Sequence, residues 1–248
     1  IYNRFSDETD RVSLGMPGLV DHDNLIFKYG TNMKFSIDFK KLGFAKEKKI
    51  YLENDGNLAA YSEYLSHFKN DYKNLIMLTF GTGVGGGRIY NSEIFKGSGN
   101  AGEIGRILIN EKSYLEDVIS AKAWTKKCQE LYEINKETKL SNIFYEEKVG
   151  SLLFDRSIDL EDYEKYARDE IIQNTSNALI SLFELFDNDI FVIGGSMTKS
   201  PYDFLPLLDE YISKNFEFPN RNFPKIKLSK AREDSGMLGA ALLALNSE

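Results

Sequence analysis

Five of the seven residues in Gly81-Thr82-Gly83-Val84-Gly85-Gly86-Gly87 are glycine. Glycine lacks Cβ, so a backbone can approach a ligand closely, and its N–H groups can cradle phosphate oxygens. The stretch contains G-x-G-x-x-G, but a dinucleotide loop of that kind needs a helix directly after it. Here Arg88-Ile89-Tyr90 continues as a strand and turns at Asn91-Ser92. The Gly-Lys-Ser/Thr ending of a Walker A loop is also missing. The spacing therefore predicts a strand–glycine turn–strand hairpin, with a tight hairpin that holds no ligand as the alternative.

Glu53-Asn54-Asp55-Gly56-Asn57 follows the short apolar stretch Lys49 to Leu52. Carboxylates at a strand end beside a helix start sit where α/β folds place ligand groups. Asp55 or Asn57 can equally be a plain helix cap. Glu103, between Gly102 and Ile104-Gly105, can accept hydroxyls of a sugar, although a solvated turn explains it as well. Glu116 is an ordinary first-turn helix acid. Phe191-Val192-Ile193-Gly194-Gly195-Ser196 reads as a buried strand ending where a backbone can lie against a planar or phosphorylated ligand, or as a simple turn.

Strands and helices must position these groups. Strands are expected at Arg11 to Met16, Lys49 to Leu52, Asn74 to Phe80, Gly85 to Tyr90, Ile104 to Ile109, Ile190 to Ile193 and Ile226 to Leu228. Leu58, Tyr61, Leu65 and Phe68 recur at helical spacing, predicting a helix from Asn57 to Phe68. Further helices are expected over Leu115 to Glu133, Leu160 to Phe186, after Pro201, and over Met237 to Leu245. Mixed elements of this kind argue for α/β layers, with helices covering sheets.

Composition narrows the function. The single cysteine, Cys128, excludes an internal disulfide, and a reducing cytoplasm is the expectation. Ile1 to Glu8 has no apolar run of the signal-peptide kind. The longest apolar stretch, Leu179 to Phe186, is interrupted by Ser181 and Glu184 and is too short to span a bilayer. A formal net charge of −7 argues against nucleic acid as a general partner. The basic run Lys46 to Lys49 reads as a solvated loop. Only two histidines are present. His22, among Asp21, Asp23 and Asn24, reads as a turn residue. His67 lies near the polar end of a helix. Neither is expected to be catalytic.

In order along the chain, these stretches resemble the ROK family of bacterial sugar kinases and related repressors. Pro17-Gly18-Leu19-Val20-Asp21 resembles its Pro-Gly-x-Val-Asp turn, and Glu53 to Asn57 its E-N-D-x-N motif. Leu78 to Gly87 resembles its L-T-x-G-T-G-x-G-G-G signature, and Gly102 to Gly105 its G-E-I-G motif. Leu115-Glu116 resembles the end of G-C-L-E, and Phe191 to Ser196 the late glycine motif.

The resemblance implies an α/β, actin-like (ribonuclease H-like) two-lobed fold with the site in the inter-lobe cleft. Residues 1–70 with a closing helix at 236–248 would form the first lobe, and 71–235 the second. It implies ATP-dependent phosphorylation of the C6 hydroxyl of a hexose or N-acetylhexosamine. N-acetylmannosamine is the first expectation, ahead of glucose, fructose or a β-glucoside. Asp55 is implied as the base, and Asn54, Glu103 and Glu116, with Asn32 and Arg106, as sugar contacts. Gly81, Thr82 and Gly83 are implied at the phosphates, and Gly195 and Ser196 on the nucleotide side. ATP and Mg²⁺ are the implied cofactors, and the sugar and ATP the implied partners. Homodimerisation is left open.

Two departures matter. The family's early D-x-G-G-T hairpin has no counterpart, so the chain is expected to open in the middle of the first lobe, and whether a preceding segment carries that hairpin or a repressor's helix-turn-helix is left open. Most members also carry a zinc module of one histidine and three cysteines between G-E-I-G and G-C-L-E. Here the histidine position is Arg106, and no cysteine lies in the short loop that follows. The resemblance is therefore to the zinc-free members, with no metal ligands of the protein's own. The competing functions are a sugar-responsive transcriptional repressor and a non-catalytic sugar-binding protein. Retention of Asp55 and of the glycine-rich loop favours the kinase.

Overall fold

The structure is a computed structural model that describes residues 9–30, 33–42, 48–100, 102–134, 154, 158–195, 204–230 and 234–247. In chain order its strands are β1 (Arg11–Met16), β2 (Leu19–Asp21), β3 (Ile26–Tyr29), β4 (Ile37–Asp38), β5 (Lys49–Asn54), β6 (Leu75–Phe80), β7 (Val84–Tyr90), β8 (Glu93–Ile94), β9 (Ile190–Gly195) and β10 (Lys225–Leu228). Its helices are α1 (Asp55–Glu63), α2 (Glu116–Ile119), α3 (Ala121–Ile134), α4 (Asp162–Phe186), α5 (Leu205–Asn215) and α6 (Ser235–Asn246). None among the described residues is long and apolar enough to cross a membrane.

The chain forms two compact units. The first comprises Ile1–Met77, Gly86–Glu103 and Lys230–Glu248; the second comprises Leu78–Gly85 and Ile104–Ser229. In the first unit β1 and β5 pair in parallel, with Leu14 opposite Leu52. Strands β2, β3 and β4 make a small antiparallel sheet. Met16, Val20, Phe27, Phe39 and Leu52 form one buried apolar cluster. Helix α1 leaves the end of β5 directly and widens into a π-helical turn at Tyr64–Phe68. Its backbone lies so close to α6 that a Cβ on Gly239 would strike the Leu58 carbonyl oxygen. Arg11 closes α6 by donating to the carbonyls of Ala244 and Ser247, at 2.7 and 2.8 Å, which supplies donors at the helix C-terminus.

A five-stranded sheet has the order β10-β9-β6-β7-β8. Strands β10 and β9 are parallel, and β7 and β8 form a hairpin closed by Asn91 and Ser92, both at positive φ. Strands β6 and β9 are almost wholly buried, as their continuous apolar runs predict. In the second unit Trp124 of α3 is buried against Phe80, Phe154 and Phe204, with ring centroids 5.0–6.2 Å apart. Offset and edge contacts of this kind suit the aromatic quadrupole. They anchor the end of β6, on which the glycine turn stands.

One expected strand is absent. Ile104–Arg106 is a turn of 3₁₀ helix, and beyond it, among the described residues, there is only a single bridge between Leu108 and Tyr114. The apolar run Ile107-Leu108-Ile109 is exposed. A strand needs a neighbour to take its backbone hydrogen bonds, and an apolar run does not supply one. The three short strands β2 to β4, in contrast, were not expected, because runs of two to four residues carry too little periodicity to read.

Candidate active site

The first group of site residues stands on the β5–α1 junction. Neither Asp55 nor Asn57 caps the helix; Asn54 does. Its backbone is extended (φ −67°, ψ 141°), and its Oδ1 accepts from the N–H groups of Gly56 and Asn57 at 2.8 and 3.1 Å. This satisfies two of the donors a helix start leaves open. Asn54 Nδ2 donates to the Gly18 carbonyl at 3.2 Å, tying the helix start to the turn before β2. Asp55 is the first helical residue, and its Oδ1 also accepts from Gly56 N–H, at 2.9 Å. Although Asp55 can be reached by solvent, the protein around it removes enough water to push its carboxyl above the ordinary value. The Gly56 bond opposes that shift only in part.

Glu53, one residue earlier, has no solvent exposure at all. Its Oε1 accepts from Asn54 N–H at 2.9 Å and from Asn57 Nδ2 at 3.0 Å. Its Oε2 accepts from His22 Nε2 at 3.0 Å, with Lys96 Nζ 3.8 Å away. Burial alone pushes this carboxyl up, but the bonds from His22, Asn57 and Asn54 outweigh it and hold it below the ordinary value. The sequence reading missed this role for His22. The turn after β2 was legible; its closeness to Glu53 was not.

The glycine-rich stretch divides into two parts with different work. Gly86 and Gly87 belong to β7, where α1 lies directly against them. A Cβ on Gly87 would strike the Gly56 carbonyl oxygen and come within 2.7 Å of Ala60 Cβ, and one on Gly56 would strike the Gly86 carbonyl oxygen. These glycines are explained by helix-on-strand packing. In the second unit Gly81, Thr82 and Gly83 form the turn between β6 and β7, closed by Gly81 N–H donating to Gly83 O at 3.0 Å. A Cβ on Gly81 would meet nothing within 4 Å. The N–H groups of Thr82 and Gly83 have no partner among the described residues. The Ala121 N–H, at the start of α3, donates to the Gly81 carbonyl at 3.0 Å, and Ser120 Oγ caps that helix by accepting from Ala123 N–H. The turn therefore lies beside a helix N-terminus, where backbone N–H groups and the helix dipole favour an anion.

Also in this unit, Glu116 Oε2 lies 3.4 Å from the Val84 nitrogen, which can donate to it, and would lie 2.5 Å from a Cβ on Gly83. Glu116 Oε1 pairs with Arg106 Nη1 at 3.4 Å, and that guanidinium stacks 3.8 Å over the Tyr114 ring. Glu116 and Arg106 thus come together beside the glycine turn. Gly195 ends β9 at φ +92°, where a Cβ would strike the Phe80 carbonyl oxygen, so only glycine fits beneath the turn. Glu103 is half-buried next to Gly102, which has φ +98°. Asn32 and Ser196 lie outside the described residues. No group of three His, Cys, Asp or Glu among the described residues could hold a metal ion.

The ROK family profile matches residues 2–247, essentially the whole chain. This chain belongs to the ROK family. A glucokinase of Thermotoga maritima is 25% identical over 257 residues, covering 95% of this chain and 79% of the relative. An N-acetyl-D-glucosamine kinase of Mannheimia succiniciproducens is 27% identical over 249 residues, covering 94% of this chain and 80% of the relative. Among solved structures, a ROK family glucokinase from Streptomyces griseus, in complex with glucose and AMPPNP, superposes with a TM-score of 0.80 at 20% identity. It covers 99% of this chain and 85% of the other. The ROK chain described here therefore has the actin-like fold of those sugar kinases.

Proposed function

We propose that this chain transfers the γ-phosphoryl group of ATP to the C6 hydroxyl of a hexose or N-acetylhexosamine. The observation that carries the reading is Asp55, a partly desolvated carboxylate held on a capped helix start. In this reaction the sugar hydroxyl gives its proton to the Asp55 carboxylate while its oxygen attacks the γ-phosphorus. The bond to the β–γ bridging oxygen breaks, and ADP leaves. Phosphoryl transfer asks the protein mainly for positioning and charge stabilisation. The open N–H groups of Thr82 and Gly83, the empty space beside Gly81 and the α3 N-terminus suit phosphate oxygens. Mg²⁺ supplies charge neutralisation when it arrives with the nucleotide. It commonly keeps several waters and needs only one or two protein carboxylates. No zinc is proposed: the motif resemblance puts Arg106 at the position of the histidine in zinc-binding members, and its guanidinium pairs with Glu116.

N-acetylmannosamine is the first sugar proposed, followed by glucose, fructose or a β-glucoside, and N-acetylglucosamine and mannose complete the panel to be tested. A coupled ADP-release assay across that panel tests the reading. Sugar-dependent release with at least one member is expected. Sugar binding by calorimetry with no ADP release from any of them would sink the kinase and favour a sugar sensor.

Two further outcomes follow from the geometry. Since Asp55 must be ionised to accept a proton and desolvation raises its pKa, activity should fall as pH drops through a value above that of an ordinary aspartate. A kcat/KM profile that stays flat down to the normal aspartate pKa would contradict that. Glu103→Ala and Glu116→Ala should each weaken sugar binding by about tenfold or more, the usual loss for a hydrogen bond to a charged acceptor. Unchanged sugar affinity in both variants, read by titration calorimetry, would place the pocket elsewhere.

A further inference from the structure

We propose that His22 is a positioning residue of the phosphoryl-transfer site: through the buried Glu53 carboxylate, its imidazole sets the turn on which Asp55 stands. The inference rests on the reading of Asp55 as the base and extends it to a residue outside the family motifs.

The chain of contacts is continuous. His22 Nε2 donates to Glu53 Oε2 at 3.0 Å, and Glu53 Oε1 holds Asn54 N–H and Asn57 Nδ2 at 2.9 and 3.0 Å. Asn54 and Asn57 flank Asp55 and Gly56, and Asn54 caps the same turn through its own side chain. Glu53 thus grips both sides of the catalytic turn with one oxygen, while the other oxygen is held by His22.

A fully buried carboxylate needs charge-assisted bonds on both oxygens. Among the described residues, His22 provides the only hydrogen bond to Oε2. The other cation facing it, Lys96 Nζ, stands off at 3.8 Å on a side chain that is 45% exposed. Without the imidazole, Oε2 gains most by swinging toward Lys96 or by taking a proton. Either change moves or weakens the acceptor at Oε1 and frees Asn54 and Asn57. The imidazole is itself largely covered, with its side chain only 19% exposed, and it belongs to the turn that leaves β2. Together with the bond from Asn54 Nδ2 to Gly18 O, it joins the β2–β4 sheet to the catalytic turn at two points. A histidine bonded to a carboxylate in this manner has a fixed tautomer and ring orientation.

Two variants of the full chain separate positioning from mere stability. His22→Asn keeps a side chain that suits a turn but is too short to reach Glu53; His22→Gln keeps a donor at about the Nε2 position. With saturating sugar and ATP, and at a temperature where both variants are fully folded, H22N should lose about tenfold in kcat with KM for ATP within twofold of the parent. H22Q should recover to within about threefold of the parent kcat. Amide exchange at Gly56 and Asn57 should quicken by about tenfold in H22N and return in H22Q, while α4 amides stay unchanged. A kcat for H22N within twofold of the parent overturns the proposal, as does failure of H22Q to recover. Should the parent release no ADP with any sugar, it is the functional reading that fails. The exchange rates at Gly56 and Asn57 then decide the latch by themselves: unchanged rates in H22N overturn it, and locally quickened rates uphold it.

Discussion

Asp55→Asn is expected to lower kcat by at least about a hundredfold while leaving sugar affinity roughly intact, the lower range for losing a general base. The substitution is close to isosteric. Asn Oδ1 can still accept from Gly56 N–H, so the helix start keeps its geometry. Burial already disfavours the ionised form of Asp55, so a neutral amide removes a desolvation penalty and should leave stability level or slightly raised. What the amide lacks is a basic lone pair of carboxylate strength. Loss of turnover with preserved folding and preserved sugar binding is therefore the signature of a base, and it differs from that of a structural acid, whose removal would lower the melting temperature. The measurement is steady-state ADP release beside a sugar titration and a thermal melt. Turnover within a few-fold of the parent would remove Asp55 from the chemistry and with it the central support for the kinase reading.

Gly87→Ala is expected to be strongly destabilising for a single added methyl. The added Cβ would strike the Gly56 carbonyl oxygen and approach Ala60 Cβ and Asn57 Cα to 2.7 and 2.9 Å. Backbone lies on two sides, so relief requires moving the first turn of α1. Overpacking of this kind costs about 3 kcal/mol, at the upper end of the common range. For a chain of this size that corresponds to a fall in melting temperature of roughly 6–12 °C. Because the displaced turn carries Asp55, kcat should also fall at temperatures where the variant is still folded. Gly81→Ala is the matched control for the other half of the motif. Its Cβ would meet nothing within 4 Å, so stability should stay within about 0.5 kcal/mol. If a phosphate lies against the turn, however, the added methyl should raise KM for ATP. Thermal melts and ATP saturation curves distinguish the two. Equal melting temperatures for the two variants would show that the division of the motif into packing glycines and ligand glycines is mistaken.

That division shows where sequence reasoning stops. Five glycines in seven residues announced that a backbone must come close to something, and the strand after them excluded a dinucleotide loop. Which glycine approaches a helix and which faces open space depends on α1, whose first residue lies 32 positions before Gly87. Composition cannot place it there. The order of the motifs, the β5–α1 junction, the long helix at Asp162–Phe186 and the buried strands β6 and β9 were all legible, because each rests on local periodicity or on turn chemistry within a few residues. The family membership was legible for the same reason: its motifs are local.

The tertiary structure decided everything that depends on partners distant in the chain. It turned Ile104–Arg106 from an expected strand into a 3₁₀ turn, because no strand among the described residues pairs with it. It brought Arg106 to Glu116 and set Glu116 against Val84 at the glycine turn. It also changed the standing of two residues the sequence had made ordinary. Glu53 read as a strand-end carboxylate of the E-N-D-x-N motif with no role of its own, and His22 as a turn histidine. The one available hint was a charged residue directly after the apolar Leu52, on a strand whose end is covered. The two are 31 residues apart. Local rules act over about one helical turn or one hairpin, whereas the burial of a charge and the identity of its partner are set by the packing of the whole unit.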